Sequence, residues 1–167
     1  MCGIAGILNI KSAKQPDRLD LSAMIDRLHH RGPDGTGSFI DDKLGFAYAR
    51  LSIIDIASGD QPIHNENKTV WVIFNGEIFN YVELRAQLMT LGHHFYTQSD
   101  TEVIVHLYDQ YGEKFVDNLY GQFAIALWDE KQKKLVLARD RTGICPRFYT
   151  ETAGRLLFAS ESEALFS

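Results

Sequence analysis

The chain has 167 residues, of which 45% are hydrophobic and 23% charged, with 17 Lys and Arg against 22 Asp and Glu for a net charge of −5. That length supports one domain whose core buries about 68–70% of the unfolded surface, so no disulfide is needed to hold it. The acidic balance argues against nucleic acid as a partner, because phosphate binding wants clustered Lys and Arg. The densest basic run, Lys131-Gln132-Lys133-Lys134, reads as a charged hairpin turn. Two cysteines make neither a disulfide framework nor a Cys-x-x-Cys zinc pair. No apolar stretch approaches the ~18 residues of a membrane span and no signal peptide precedes the first strand, so the sequence reads as a cytoplasmic protein with no membrane partner.

The first apolar run, Ile4 to Ile10, is short and β-branched and predicts a strand. Leu21, Met24, Ile25 and Leu28 recur at helical spacing, and Gly32-Pro33 stops that helix. Thr36 to Leu51 predicts two strands interrupted at Asp41-Asp42. Thr69 to Asn75 is apolar on both faces and predicts a central strand. Asn80 opens a helix with Glu83 three residues on and Gly92 after its end. Ser99-Asp100-Thr101-Glu102 matches the Ser-x-x-Glu capping box of a second helix, with Val103, Ile104, Leu107, Tyr108 and Tyr111 on one face. Gln122 to Asp129 and Leu135 to Asp140 flank the charged turn as a hairpin, and Arg147 to Thr150 and Leu156 to Ser160 are two further strands. No repeat or linker divides the chain. Strands and helices come in blocks rather than strict alternation, which predicts an α+β fold of antiparallel sheets with helices packed outside them.

Cys2 follows the initiator methionine directly. Once Met1 is removed, Cys2 carries both a thiol and a free α-amine. Such an amine titrates near about 7.7–8.0, close enough to neutrality to take the thiol proton without a histidine. Nucleophile and base then sit on one residue, the N-terminal variant of triad logic. Position alone leaves open a chance cysteine that is simply a small buried hydrophobe.

Cys2-Gly3-Ile4-Ala5-Gly6 resembles the opening of the class II glutamine amidotransferases. Arg31-Gly32-Pro33-Asp34-Gly35, Ala49-Arg50-Leu51-Ser52-Ile53-Ile54-Asp55, Phe74-Asn75-Gly76-Glu77-Ile78-Phe79-Asn80-Tyr81 and Ser99-Asp100-Thr101-Glu102 resemble one branch of it, the glutaminase domain of glutamine-hydrolysing asparagine synthetases. Gly121-Gln122-Phe123-Ala124 and Ala138-Arg139-Asp140-Arg141 extend the likeness to nearly the whole chain. The resemblance implies an N-terminal-nucleophile αββα sandwich, two antiparallel sheets between helical layers. It implies one glutaminase domain over residues 1–167, with L-glutamine as substrate and no cofactor. ATP and magnesium would belong to a synthetase domain absent from this chain, which would be its partner in the full-length protein; a homodimer is a further expectation.

By resemblance Cys2 is the nucleophile, and Asn75 and Gly76 form the oxyanion hole; bare sequence would also allow an Asn-Gly turn. Arg50 grips the substrate α-carboxylate, for which a guanidinium fork is suited. The backbone of Ile53 and Ile54 contacts the substrate, as does Glu77, and Asp100 pairs with the substrate ammonium. In this reading glutamine is hydrolysed through a Cys2 thioester and the ammonia serves ATP-dependent asparagine synthesis from aspartate. Two other readings stay open at this point: the same chemistry for another acceptor, and a non-catalytic glutamine-binding module. The Thr142 to Phe148 stretch departs from the family pattern. Cys145 reads as structural. The six histidines, with the pairs His29-His30 and His93-His94, show no metal-ligand spacing, so no metal is expected.

Overall fold

The computed structural model describes residues 1–51 and 59–166. In chain order the elements are β1 (Gly3–Asn9), α1 (Arg18–Leu28), β2 (Gly35–Asp41), β3 (Leu44–Arg50), β4 (Ile63–His64), β5 (Val70–Ile78), α2 (Tyr81–Thr90) and α3 (Glu102–Tyr111). They continue as β6 (Gly121–Asp129), β7 (Lys134–Arg139), β8 (Phe148–Thr152) and β9 (Arg155–Ala159). The elements divide between two compact units. One joins the two chain ends, Met1–Leu51 and Cys145–Ser167, and the other is Ser52–Ile144.

The unit of the chain ends is built on one antiparallel sheet of order β2-β3-β1-β9-β8. Helix α1 starts where the Asp17 carboxylate accepts the Leu19 N–H at 2.9 Å, satisfying one of the unpaired donors of its first turn. Leu21, Met24 and Leu28 then fall on one stripe and pack with Ala5, Ile7, Ala47, Ala49 and Ala159 of the sheet. Alanines at alternate strand positions let the helix axis come close without leaving voids. Residues of the opposite parity, Ile4, Phe46 and Phe158, are also fully buried. The Phe46 and Phe158 rings meet edge to face at 6.1 Å.

The other unit carries the antiparallel sheet β4-β5-β6-β7. Alternation puts Val70, Val72 and Phe74 of β5 with Phe123, Ile125 and Leu127 of β6 in one core. Leu84 and Leu88 of α2 and Val103, Ile104 and Leu107 of α3 complete it. The central strand is longer than the sequence indicates. It runs on to Ile78 because β6 pairs with it as far as Gly121.

Three local expectations are corrected. Ser99 and Glu102 do not form a capping box: the Ser99 hydroxyl accepts the Thr101 N–H at 3.1 Å, and Glu102 turns back to accept from the N–H groups of Tyr96 and Thr97 at 2.8 and 2.7 Å. Asn80 does not cap α2 with its side chain. It bridges instead to the Asn118 carbonyl and the Tyr120 N–H, both at 3.0 Å, tying the start of α2 to the approach to β6. Tyr111, placed on the buried face by its spacing, is 37% exposed at the end of α3.

Candidate active site

Cys2 immediately precedes β1 and is half-buried. Its sulfur lies against the Leu51 backbone, 3.4 Å from the N–H and 3.5 Å from the carbonyl. Three residues from distant parts of the chain hold this end of β1. Ser160 grips Ile4 twice, its hydroxyl accepting the Ile4 N–H at 3.0 Å and its own N–H donating to the Ile4 carbonyl at 2.8 Å. Arg31 donates through Nε to the Cys2 carbonyl at 3.0 Å and through Nη1 to Glu161 at 2.8 Å. Burial alone pushes the Glu161 carboxyl up, but the bonds from Arg31 and His30 outweigh it and hold it below the usual carboxylate range. Glu161 therefore stays ionised as the anchor of Arg31. Gly32 follows because no side chain fits: a Cβ there would stand 2.2 Å from the Ala49 carbonyl oxygen. Arg31, Ser160 and Glu161 thus fix the position of Cys2 just before β1. The Arg31 motif was visible in sequence, but the Arg31–Glu161 and Ser160–Ile4 pairs join residues 130 and 156 apart, beyond the reach of local pattern.

Met1 is 52% exposed. Arg50 closes β3 opposite Gly35 and is 8% exposed, a buried guanidinium rather than a surface strand arginine. Ile53 and Ile54 lie outside the described residues.

In the Ser52–Ile144 unit, Asn75 and Gly76 lie within β5, paired with Ala124 and Phe123, and do not make a turn. Asn75 alternates away from Phe74 and so lies on the sheet face opposite the helices. It is 1% exposed, and among the described residues neither its Nδ2 nor its Oδ1 has a hydrogen-bond partner. A buried polar group without a partner costs about 1–3 kcal/mol and is rare in a native protein, so it points to a partner supplied from elsewhere. Gly76 takes φ +155°, and a Cβ there would meet the Gln122 carbonyl oxygen at 2.1 Å. Only glycine lets β5 keep its pairing while carrying an orphan amide next door. Glu77 is exposed at the following position.

Asp100 is 5% exposed and accepts the Ile78 N–H at 3.0 Å, so it is tied to the same strand end as Asn75 and Gly76. Burial raises its carboxyl above the ordinary range; the Ile78 hydrogen bond opposes that, and the charge of Glu77 adds to it. The segment before it is clamped. Arg85 donates to the Thr97 carbonyl at 2.8 Å and lies 4.4 Å over the Phe95 ring, while Glu102 accepts from Thr97 through backbone and hydroxyl. A buried carboxylate held this firmly suits recognition of a fixed cation. The Arg139-Asp140-Arg141 segment serves structure: Asp140 accepts from the N–H groups of Phe123, Thr142 and Ile144 and so shapes the exit from β7.

Residues 1–167 match a family model described as a glutamine amidotransferase domain. The chain is 49% identical over 169 residues to asparagine synthetase [glutamine-hydrolyzing] 2 of Bacillus subtilis (strain 168), covering all of this chain and 22% of that protein. It is 46% identical to asparagine synthetase [glutamine-hydrolyzing] of Zea mays, over 99% of this chain and 28% of the relative. The chain thus spans about a quarter of the length of these curated relatives. Among solved structures, a glutamine phosphoribosylpyrophosphate amidotransferase from B. subtilis superposes over 98% of this chain and 43% of its own, with TM-score 0.77 and 22% identity. That last likeness is one of fold. It carries the α+β expectation of two antiparallel sheets with helices packed on them.

Proposed function

The chain belongs to the glutamine amidotransferase domain family, and from that membership we propose that it hydrolyses L-glutamine to glutamate and ammonia through a thioester on Cys2. The observation that carries the oxyanion half of this reading is the orphaned, buried amide of Asn75. With Met1 removed, the Cys2 amine takes the thiol proton and the sulfur forms a bond to the side-chain amide carbon of glutamine. The Asn75 Nδ2–H and the Gly76 N–H receive the negative oxygen, donors fixed in advance where charge develops. The C–N bond then breaks, the ammonium of Cys2 returns its proton to the leaving nitrogen, and ammonia departs. Water, deprotonated by the same amine, cleaves the thioester and releases glutamate. Arg50 pairs with the substrate α-carboxylate, and Asp100 and Glu77 face its ammonium.

The relatives' names support asparagine synthesis as the use of the ammonia. A synthetase domain in the longer protein would consume ATP with magnesium and aspartate. Both cysteines are free thiols, in keeping with a reducing, cytoplasmic setting.

Two expected results arise here. Protein that retains Met1 has an amide at the Cys2 nitrogen, with no basic lone pair, and is inactive. Intact mass and glutamate release measured on matched processed and unprocessed samples check this, and equal activity in both would refute the amine as base. The second concerns pH. Glutamine binding needs ionised Asp100, whose carboxyl is raised in the free protein, so KM rises as pH falls through that raised value and is flat above it. The bound ammonium favours the ionised form, so binding in that window releases a proton. Asp100→Asn removes the pH step and raises KM on the order of 10–100-fold, the worth of one charge-assisted bond. A KM that is unchanged in the variant would assign the ammonium to another residue.

A further inference from the structure

A cluster of titratable groups lies outside this chemistry, on the helical side of the Ser52–Ile144 unit. Glu66 follows the end of β4, His93 lies between α2 and α3, and His106 is in the middle of α3. One ligand atom from each lies within 4.8 Å of the others. The His106 side chain is fully buried.

The hydrogen bonds around the two rings fix what they present to each other. His106 Nε2 faces Glu102 Oε1 at 3.3 Å, an oxygen that can only accept from it. His93 Nε2 faces the Gln110 side-chain oxygen at 3.4 Å, again an acceptor. Both rings therefore carry their proton on Nε2 and turn an Nδ1 lone pair inward. His106 Nδ1 is 3.4 Å from Glu66 Oε2, yet it makes no hydrogen bond among the described residues, and His93 Nδ1 is 3.5 Å from Glu66 Oε1. Two imidazole lone pairs thus converge on a carboxylate, with no proton from either ring between them. A cation placed among the three resolves this.

We propose that Glu66, His93 and His106 form a binding site for one divalent transition-metal cation of the zinc class. Two imidazole nitrogens and a carboxylate oxygen are a borderline-soft set that suits zinc and leaves a fourth position to water. Bond lengths of 2.0–2.2 Å put the edges of a tetrahedral zinc site at about 3.3–3.6 Å. The two nitrogen–oxygen separations, 3.5 and 3.4 Å, run to different Glu66 oxygens, and one atom from each residue lies within 4.8 Å of the others, so the side chains draw in slightly around the ion. The surrounding shell has the form metal sites use, each ligating ring donating its outer N–H to an oxygen. The Glu66 carboxylate is further held by the His94 N–H at 2.9 Å and is 31% exposed, which leaves the ion a route in from solvent. The three ligands come from separated segments, which is why no ligand spacing shows in the sequence. The site clips the turn after β4, the α2–α3 connection and α3 together, and it is independent of the glutaminase reading.

The test uses Cys2→Ala protein, so that the catalytic thiol cannot take the metal, stripped with chelator and titrated with zinc by calorimetry and with cobalt by absorption. Expected are one ion per chain, a tetrahedral cobalt spectrum without thiolate charge transfer, and a raised melting temperature. His93→Ala and Glu66→Gln, both at accessible positions, should each weaken binding roughly 100-fold or more, and Gln110→Ala about tenfold through the supporting shell. Absence of stoichiometric binding, or binding that survives both His93→Ala and Glu66→Gln in folded protein, would overturn the site.

Discussion

Cys2→Ala protein releases no glutamate from glutamine above background, a loss on the order of 10⁴–10⁶ in kcat, as expected when a nucleophile is removed from a set of groups that act as a unit. The fold does not notice. Cys2 precedes β1, its sulfur lies against the Leu51 backbone at 3.4 and 3.5 Å, and the Arg31 bond is to its carbonyl, which alanine keeps. Circular dichroism and melting temperature are therefore unchanged, and calorimetry still detects glutamine. Those paired results also separate an enzyme from a glutamine-binding module. A module would bind glutamine with or without the thiol, and its natural form would release no glutamate.

Asn75→Ala lowers kcat about 10²–10³-fold with little change in KM, since an oxyanion donor acts on charge that develops only in the transition state. The same substitution has an unusual expected effect on stability. A buried asparagine that held the fold would cost about 1–3 kcal/mol to remove, because its partners would be stranded. Asn75 has no partners to strand among the described residues, so the alanine protein is at least as stable as the parent. Such a split, activity lost while stability is kept or gained, marks a group held for function against the interest of the fold. Denaturant unfolding beside steady-state kinetics measures both. A destabilised variant with near-normal kcat would make Asn75 a structural residue.

Strand identity was legible wherever side-chain parity matched burial. The two-sided apolar run from Thr69 is the interior strand β5, and the Gln122 to Asp129 run is its neighbour β6, because both keep a period of two against α2 and α3. Cys2, Asn75 and Asp100 were singled out through their motifs, while the burial of Asn75 and Asp100 came only with the fold. What escaped were long-range choices of partner. Glu102 sits where a capping box would use it, yet buried Thr97 offers two donors and takes it. Ser160, Glu161 and Arg31 hold the Cys2 strand because the two chain ends share one sheet, and no local spacing encodes that. The Asn-Gly pair looks like a turn in isolation. It stays in the strand because β6 continues opposite it, and glycine is needed there for the approach of the Gln122 carbonyl.

Covalent capture tests the thioester directly. Protein with Met1 removed is mixed with excess glutamine, quenched in acid within a turnover, and weighed intact and after digestion. One added γ-glutamyl group is expected, carried on the peptide that begins at Cys2 and released by hydroxylamine. Sustained glutamate production with that peptide unmodified, or with the glutamyl group on another residue, would contradict it.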